Sequence, residues 1–171
     1  MIEYVILVDE NDHPIGREEK MRAHELGLLH RALSIFVFNS KNELLLQRRA
    51  LSKYHSAGLW TNTCCSHPRP SESVQDAAHR KLMQEMGFDC DLTEQFHFTY
   101  RAALDAGLTE HEVDHVLFGT YDLDPVLNPE EADDFKWVTL EWLSTDITKN
   151  PHEYTEWFKI CFDKVRELAK N

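Results

Sequence analysis

The spacing of apolar residues changes period several times along the chain, and each change marks an element. Residues 2–8 are rich in β-branched and aromatic types, and the turn-forming run Asn11-Asp12-His13-Pro14-Ile15-Gly16 after them predicts a first hairpin. Residues 32–38 and 44–47 are two apolar runs separated by Asn39-Ser40-Lys41-Asn42, which predicts a second hairpin with Arg48 and Arg49 at its exit. The pattern then breaks up from 52 to 70, where Gly58, Trp60, Asn62, Pro68 and Pro70 predict a structured loop. At 73–86 the period becomes helical: Val74, Ala77, Ala78, Leu82 and Met86 share one face, Ser73 and Asp76 have capping spacing, and Gly87 closes the run. Phe96, Phe98 and Tyr100 alternate as in a strand, 113–121 and 135–140 predict further strands, and an amphipathic helix over 153–168 follows Pro151. Strands and helices in this order predict a single α/β domain over 1–171, a mixed sheet sandwiched by helices, without repeats or linkers.

Composition narrows the classes. A chain of 171 residues buries enough surface to fold without a disulfide or structural metal. The net charge of −12 argues against an extended nucleic-acid surface, which needs clustered Lys and Arg. Of the 18 Lys and Arg, seven stand in islands at Lys20 and Arg22, at Arg48, Arg49 and Lys53, and at Arg80 and Lys81, which would suit a small anionic ligand. No apolar run has the length of a membrane span, and Met1-Ile2-Glu3-Tyr4 lacks the basic and apolar regions of a signal peptide. The expectation is a soluble cytoplasmic protein, a monomer or a small homo-oligomer. Cys64, Cys65, Cys90 and Cys161 show no Cys-x-x-Cys spacing and are read as free thiols.

Cys65-Ser66-His67 and Glu110-His111-Glu112 carry the chemistry. In extended backbone each i, i+2 pair shares a face, so Cys65 and His67 point one way and Cys64 the other, and both glutamates align. Two carboxylates so close repel unless a cation or a proton lies between them. Asp114 adds a third on the same face, for which a place beside a metal's ligands and contact with solvent are both open. With His24 and His30 upstream, the set offers three nitrogen and two oxygen donors, a ligand field for zinc, manganese or iron(II). For any single residue the bland reading is strong, since most histidines bind nothing and most cysteines are small buried hydrophobes.

Ser66, Glu72, Arg80, Lys81, Gln84, Glu85 and Gly87 stand in the frame of a Nudix box. Glu72 and Glu85 retain its carboxylates, whereas Ser66, Lys81 and Gln84 depart from it, so the expectation is diphosphate recognition without hydrolysis. Together with Glu19-Lys20-Met21-Arg22-Ala23-His24, Arg48-Arg49-Ala50-Leu51-Ser52-Lys53, the run 58–68, Tyr100-Arg101-Ala102 and Glu110-His111-Glu112-Val113, this frame resembles the type I isopentenyl-diphosphate isomerases, a Nudix-fold family. The resemblance implies interconversion of isopentenyl and dimethylallyl diphosphate, a step in isoprenoid biosynthesis, by protonation at C4, a tertiary carbocation and deprotonation at C2. It implies one Mn2+ or Zn2+ on His24, His30, His67, Glu110 and Glu112, and one Mg2+ on Glu85, the backbone carbonyl of Cys65 and substrate phosphate. Lys20, Arg49 and Lys53 match its diphosphate contacts, with Lys81 a further candidate; Cys65, Glu112 and Tyr100 match its catalytic groups and Trp157 an aromatic lid. Glu112 with Tyr100 is then the donor and Cys65 the acceptor, an assignment of direction held as a hypothesis. Serine at 66 and cysteine at 64 depart from the family pattern. Rival readings are a divergent Nudix hydrolase, an inactive Nudix binding module, and an acyl transferase using Cys65 and His67.

Overall fold

The computed structural model describes residues 1–169. In chain order the elements are β1 (Tyr4–Val8), β2 (Pro14–Glu19), α1 (Lys20–Leu26), β3 (His30–Phe38), β4 (Glu43–Arg49), β5 (Trp60–Thr61), β6 (Cys64–Ser66), α2 (Val74–Met86), β7 (Leu92–Ala103), β8 (Thr109–Thr120), β9 (Ala132–Thr139), α3 (Leu140–Lys149) and α4 (Glu156–Ala169). Strand β3 organises the sheet because it is apolar on both faces. Leu33, Ile35 and Val37 pack with Ala77, Ala78, Leu82 and Met86 of α2, while Phe36 and Phe38 pack with Leu143 of α3 and Phe158, Phe162 and Val165 of α4. The result is the α/β/α sandwich expected from the sequence.

One edge of β3 pairs in parallel with β8 along its whole length, from His30 opposite Glu112 to Phe38 opposite Thr120. Its other edge is divided among three antiparallel partners: β1 at His30, β6 at 33–35 and β4 at Phe38. The second predicted hairpin therefore pairs only at its closed end, Phe38 opposite Leu44, and then splays. Thr63 fills the gap: its Oγ1 accepts from the Val37 N–H (2.9 Å) and donates to the Leu45 carbonyl (2.6 Å).

Other differences from expectation are local. The first reversal is shorter than predicted, since Pro14 to Gly16 already lie in β2. The expected loop at 52–70 contains the short strands β5 and β6, so Cys65 sits in the sheet rather than on a loop. The helix α1 was not anticipated: it has no side-chain N-cap and only one turn's worth of periodic residues, and it closes on Gly27 at φ 65°. Helix α3, also unforeseen, is capped by Thr139, whose hydroxyl accepts from the Trp142 N–H. Helix α2 follows the sequence closely, with Ser73 capping Asp76 and Gly87 ending it at φ 73°. Among the described residues, no helix is long and apolar enough to cross a membrane.

Candidate active site

Eight elements, β1, α1, β3, β4, β6, α2, β8 and α4, converge on one cavity of about 100 Å3. Its walls include Lys20, Arg49, Lys53, Cys65, His67, Lys81, Glu85, Glu110, Glu112 and Trp157, all named from the sequence. The alternation expected in β8 holds: Glu110, Glu112 and Asp114 are buried on one face, and Val113 packs with Ile6 and Val8 on the other. Cys64 turns into the apolar layer under α2 while Cys65 opens to the cavity.

Three of the histidines gather around Glu112, without Glu110 in the same group. The ligand atoms of His24, His30, His67 and Glu112 all lie within 4.8 Å of one another. Backbone carbonyls fix two of the rings: Lys20 O accepts from His24 Nδ1 (2.7 Å), and Leu28 O from His30 Nδ1 (2.8 Å). Their Nε2 atoms are thereby left as the inward-facing ligand atoms. Nε2 of His30 and of His67 lie 2.9 and 2.8 Å from the same oxygen of Glu112. Nε2 of His24 is buried with no hydrogen-bond partner among the described residues. A buried, unpartnered imidazole nitrogen beside a carboxylate shared by two more imidazoles fits a divalent cation.

Glu110 stands in an adjoining group with His24 and His55. His55, which sequence reasoning passed over, is buried, with Nε2 3.2 Å from Glu110 Oε1, and its ring stacks 5.7 Å from that of His24. The phenol of Tyr100 ties the two groups together, donating to Glu110 Oε2 and lying 2.5 Å from Glu112 Oε1. Behind them, Asp114 is buried and accepts from Ser34 Oγ (2.8 Å), which removes solvent contact as a reading of this residue.

Burial opposes charge on every group here, and specific partners decide where each settles. Burial pushes His24 and His67 down to about 4. For His30 burial lowers the pKa, but the Glu112 carboxylate more than offsets it and the net direction is up. Burial raises Glu112, yet the two imidazoles on it win, holding it well below the usual carboxylate range. Asp114 goes the other way, raised well above that range by burial and by the Glu112 charge beside it. Burial pushes the Cys65 thiol up to about 12, against the pull of the Trp157 indole N–H and the Arg49 guanidinium.

Cys65 meets Asn62, Trp157 and, at 3.9 Å, the Ser34 hydroxyl. Its thiol donates to Asn62 Oδ1 (2.9 Å) and its sulfur accepts from Trp157 Nε1 (3.0 Å), so both protonated and deprotonated forms have a partner. Asn62 is itself locked, giving its amide protons to the carbonyls of Ile35 and Cys64.

The cationic side chains line the cavity with partners already in place. Lys20 Nζ lies 2.7 Å from Glu3 and 4.8 Å from the centre of the Tyr54 ring; Lys53 Nζ lies 2.7 Å from Glu131. Arg49 is buried, donates to the His55 carbonyl, and lies 5.3 Å from the centre of the Trp157 ring. Its neighbour Arg48 points away and pairs with Asp133. Of the Nudix-box remnants, Glu72 forms a two-bonded pair with Arg80 (2.8 and 2.7 Å), a brace between the loop and α2. Glu85 faces the cavity, accepts from Gln47 Nε2 and lies 3.2 Å from the Lys81 ammonium.

The chain is similar to known proteins over most of its length. The NUDIX domain family matches residues 28–158. Two proteins of Aromatoleum aromaticum, Isopentenyl-diphosphate Delta-isomerase 2 and Isopentenyl-diphosphate Delta-isomerase 1, are 58% and 59% identical to this chain over 96% of its length, covering 87% and 93% of theirs. The Isopentenyl-diphosphate Delta-isomerase of Pectobacterium atrosepticum is 49% identical over 94% of the chain and 90% of its own. Among solved structures, the MutT protein of Methanosarcina mazei Go1 superposes with a TM-score of 0.69 at 19% identity, over 84% of this chain and 96% of that one, a likeness of fold. The paired glutamates, the gathered histidines and the half-kept Nudix frame thus stand in a chain that belongs to the Nudix-fold isopentenyl-diphosphate Delta-isomerases.

Proposed function

We propose that this chain interconverts isopentenyl and dimethylallyl diphosphate in isoprenoid biosynthesis, with Cys65 and Glu112 as the two acid/base groups. The observation that carries the reading is that the thiol, the carboxylate and the Trp157 ring all border one small cavity ringed by cationic side chains. The reaction adds a proton to C4 of an unactivated alkene, forms a tertiary cation at C3 and removes a proton from C2. It therefore needs a proton-carrying group on each side of the carbon skeleton and a dry space between them.

Glu112, with the Tyr100 phenol on its second oxygen, holds the proton exchanged at C4, and Cys65 Sγ holds the one exchanged at C2. Asn62 and Trp157 support the sulfur in each of its two states. Turnover in the reverse direction exchanges the roles of donor and acceptor. The face of Trp157 adds roughly 0.5–2 kcal/mol of stabilisation to a nearby cation through its quadrupole. Lys20, Arg49 and Lys53 bind the diphosphate, and Lys20 and Lys53 exchange Glu3 and Glu131 for phosphate oxygens as they do so.

The unpartnered His24 nitrogen supports Mn2+ or Zn2+ on His24, His30, His67, Glu110 and Glu112, and the Glu85 carboxylate supports Mg2+ there with the Cys65 carbonyl. When bound, the first ion neutralises the carboxylate pair and the second screens the diphosphate. Lys81, 3.2 Å from Glu85, shares that second task. The same reading puts the enzyme in the cytoplasm, acting on a small diphosphate.

The test is deuterium incorporation from D2O into isopentenyl diphosphate, followed by NMR. Wild-type protein labels the five-carbon unit; Cys65→Ala and Glu112→Gln lower the rate by about a hundredfold to ten-thousandfold, the usual worth of a general acid or base. Label entering at the wild-type rate in either folded variant overturns the assignment.

A further inference from the structure

A second cluster of ligand-type side chains lies on the opposite face of β8 from Glu112. His115 is the cross-strand neighbour of His97 on β7, their ring centroids 5.3 Å apart. Glu94 joins them, although in a regular strand a residue three positions before His97 would point to the other face. The β-bulge between Glu94 and Phe96 corrects this by one residue and brings the Glu94 carboxylate to 2.8 Å from His115 Nδ1. One ligand atom from each of Glu94, His97 and His115 then lies within 4.8 Å of the others.

The other side of His115 is built as metal-ligating histidines are usually held, with the far ring nitrogen on a carboxylate. Asp12 Oδ2 lies 2.8 Å from His115 Nε2. Asp12 is itself anchored: Arg31 Nε donates to its Oδ1 (2.9 Å) and an Arg31 terminal nitrogen to its backbone carbonyl. A neutral imidazole has one N–H to give, and two carboxylates face this one. A cation between Glu94, His97 and Nδ1 of His115 would satisfy the second.

We propose that Glu94, His97 and His115 form a binding site for a zinc-class divalent cation, with Asp12 orienting His115. Two imidazoles and one carboxylate are a zinc ligand set that leaves a fourth position free. His115 is nearly buried while Glu94 and His97 are exposed, so the ion meets solvent on one side and the sheet on the other. Because Asp12 lies in the turn between β1 and β2, the bound ion also fastens the hairpin that precedes α1 to the β7–β8 pair.

The experiment counts zinc bound to the full chain after metal stripping, in wild type, His97→Ala and Asp12→Asn, while histidine side-chain 15N signals are followed during the titration. The first removes an exposed ligand without touching the core. The second removes the orienting charge but keeps a residue type that tolerates the Asp12 φ of 63°. The expected result is one fewer zinc per chain in His97→Ala with catalytic turnover unchanged, zinc affinity about 10–100-fold weaker in Asp12→Asn, and shifted His97 and His115 signals in wild type. Equal zinc counts in wild type and His97→Ala, or unmoved His97 and His115 signals, overturn the site. Because the readout is zinc and not product, this outcome is separate from that of the isomerase assay.

Discussion

Replacing Thr63 by valine isolates one hydroxyl that holds the splayed strands β3 and β4. Thr63 is fully buried, and valine nearly matches its shape, so the change opens little space. What it removes is the acceptor for the Val37 N–H and the donor to the Leu45 carbonyl. Each stranded backbone group costs about 1–3 kcal/mol, giving a total of about 2–6 kcal/mol for the two. That is a large share of the ~5–15 kcal/mol by which a domain of this kind is stable. At ~2–4 °C per kcal/mol for a chain of this size, the melting temperature falls by about 4–24 °C. Urea unfolding followed by circular dichroism measures this directly, with the midpoint moving and the slope constant. Thr63→Ser, which keeps the hydroxyl and loses one methyl, is the control and should cost about 1 kcal/mol. A Thr63→Val protein within about 0.5 kcal/mol of wild type, or less harmed than Thr63→Ser, would refute the reasoning. Since Thr63 stands two residues before Cys65, the valine variant should also lose turnover ahead of global unfolding.

Three further outcomes are expected. Gly119→Ala puts a Cβ 2.8 Å from Cys90 Sγ and from Leu92 Cδ2 and 2.9 Å from the Asp91 carbonyl oxygen, so it should destabilise by about 1–3 kcal/mol in the same urea assay; wild-type stability would show that the start of β7 yields freely. The hydrogen bonds from Arg80 hold Glu72 below its usual range, so this pair contributes stability at neutral pH that is lost as pH falls through the depressed value. Glu72→Gln should be less stable than wild type at pH 7, by no more than about 1 kcal/mol for so accessible a pair, and the gap should close below about pH 4; a gap independent of pH would contradict this. Treatment with a chelator should abolish isomerisation reversibly, and returning a divalent ion at a hundredfold excess over its Kd should restore about 2.7 kcal/mol of stability; full turnover in the stripped protein would remove the case for a metal on His24, His30 and His67.

Residues whose neighbours are close in sequence were the readable ones. The cap at Ser73, the stop at Gly87 and the two-residue period placing Glu110 with Glu112 and Cys65 with His67 are local signals, and the chain obeys them. Gathering His24 and His30 with His67 depends on long-range pairing, and the family resemblance supplied it. His55 had neither advantage. It lies in an aperiodic stretch, and its burial comes from Glu110, His24 and Trp157, which are distant in the chain. The helix α1 escaped because seven residues without a cap make a weak pattern. The parallel contact of β3 with β8 was invisible as well, because two apolar strands carry no mark of which partner each will choose. For α3 the signal was present in Thr139, three residues before Trp142, and a closer reading of capping would have found it.

The pairing of β3 with β8 has a kinetic consequence. His30 and Glu112 face each other across this ladder yet stand 82 residues apart, so closing that loop is among the slowest steps open to the chain. Helix α2 and the turns beside it form from neighbouring residues and can nucleate early. The catalytic chamber is thus a late product of self-assembly, and a partly folded molecule with good helical content would have nowhere yet to hold an ion.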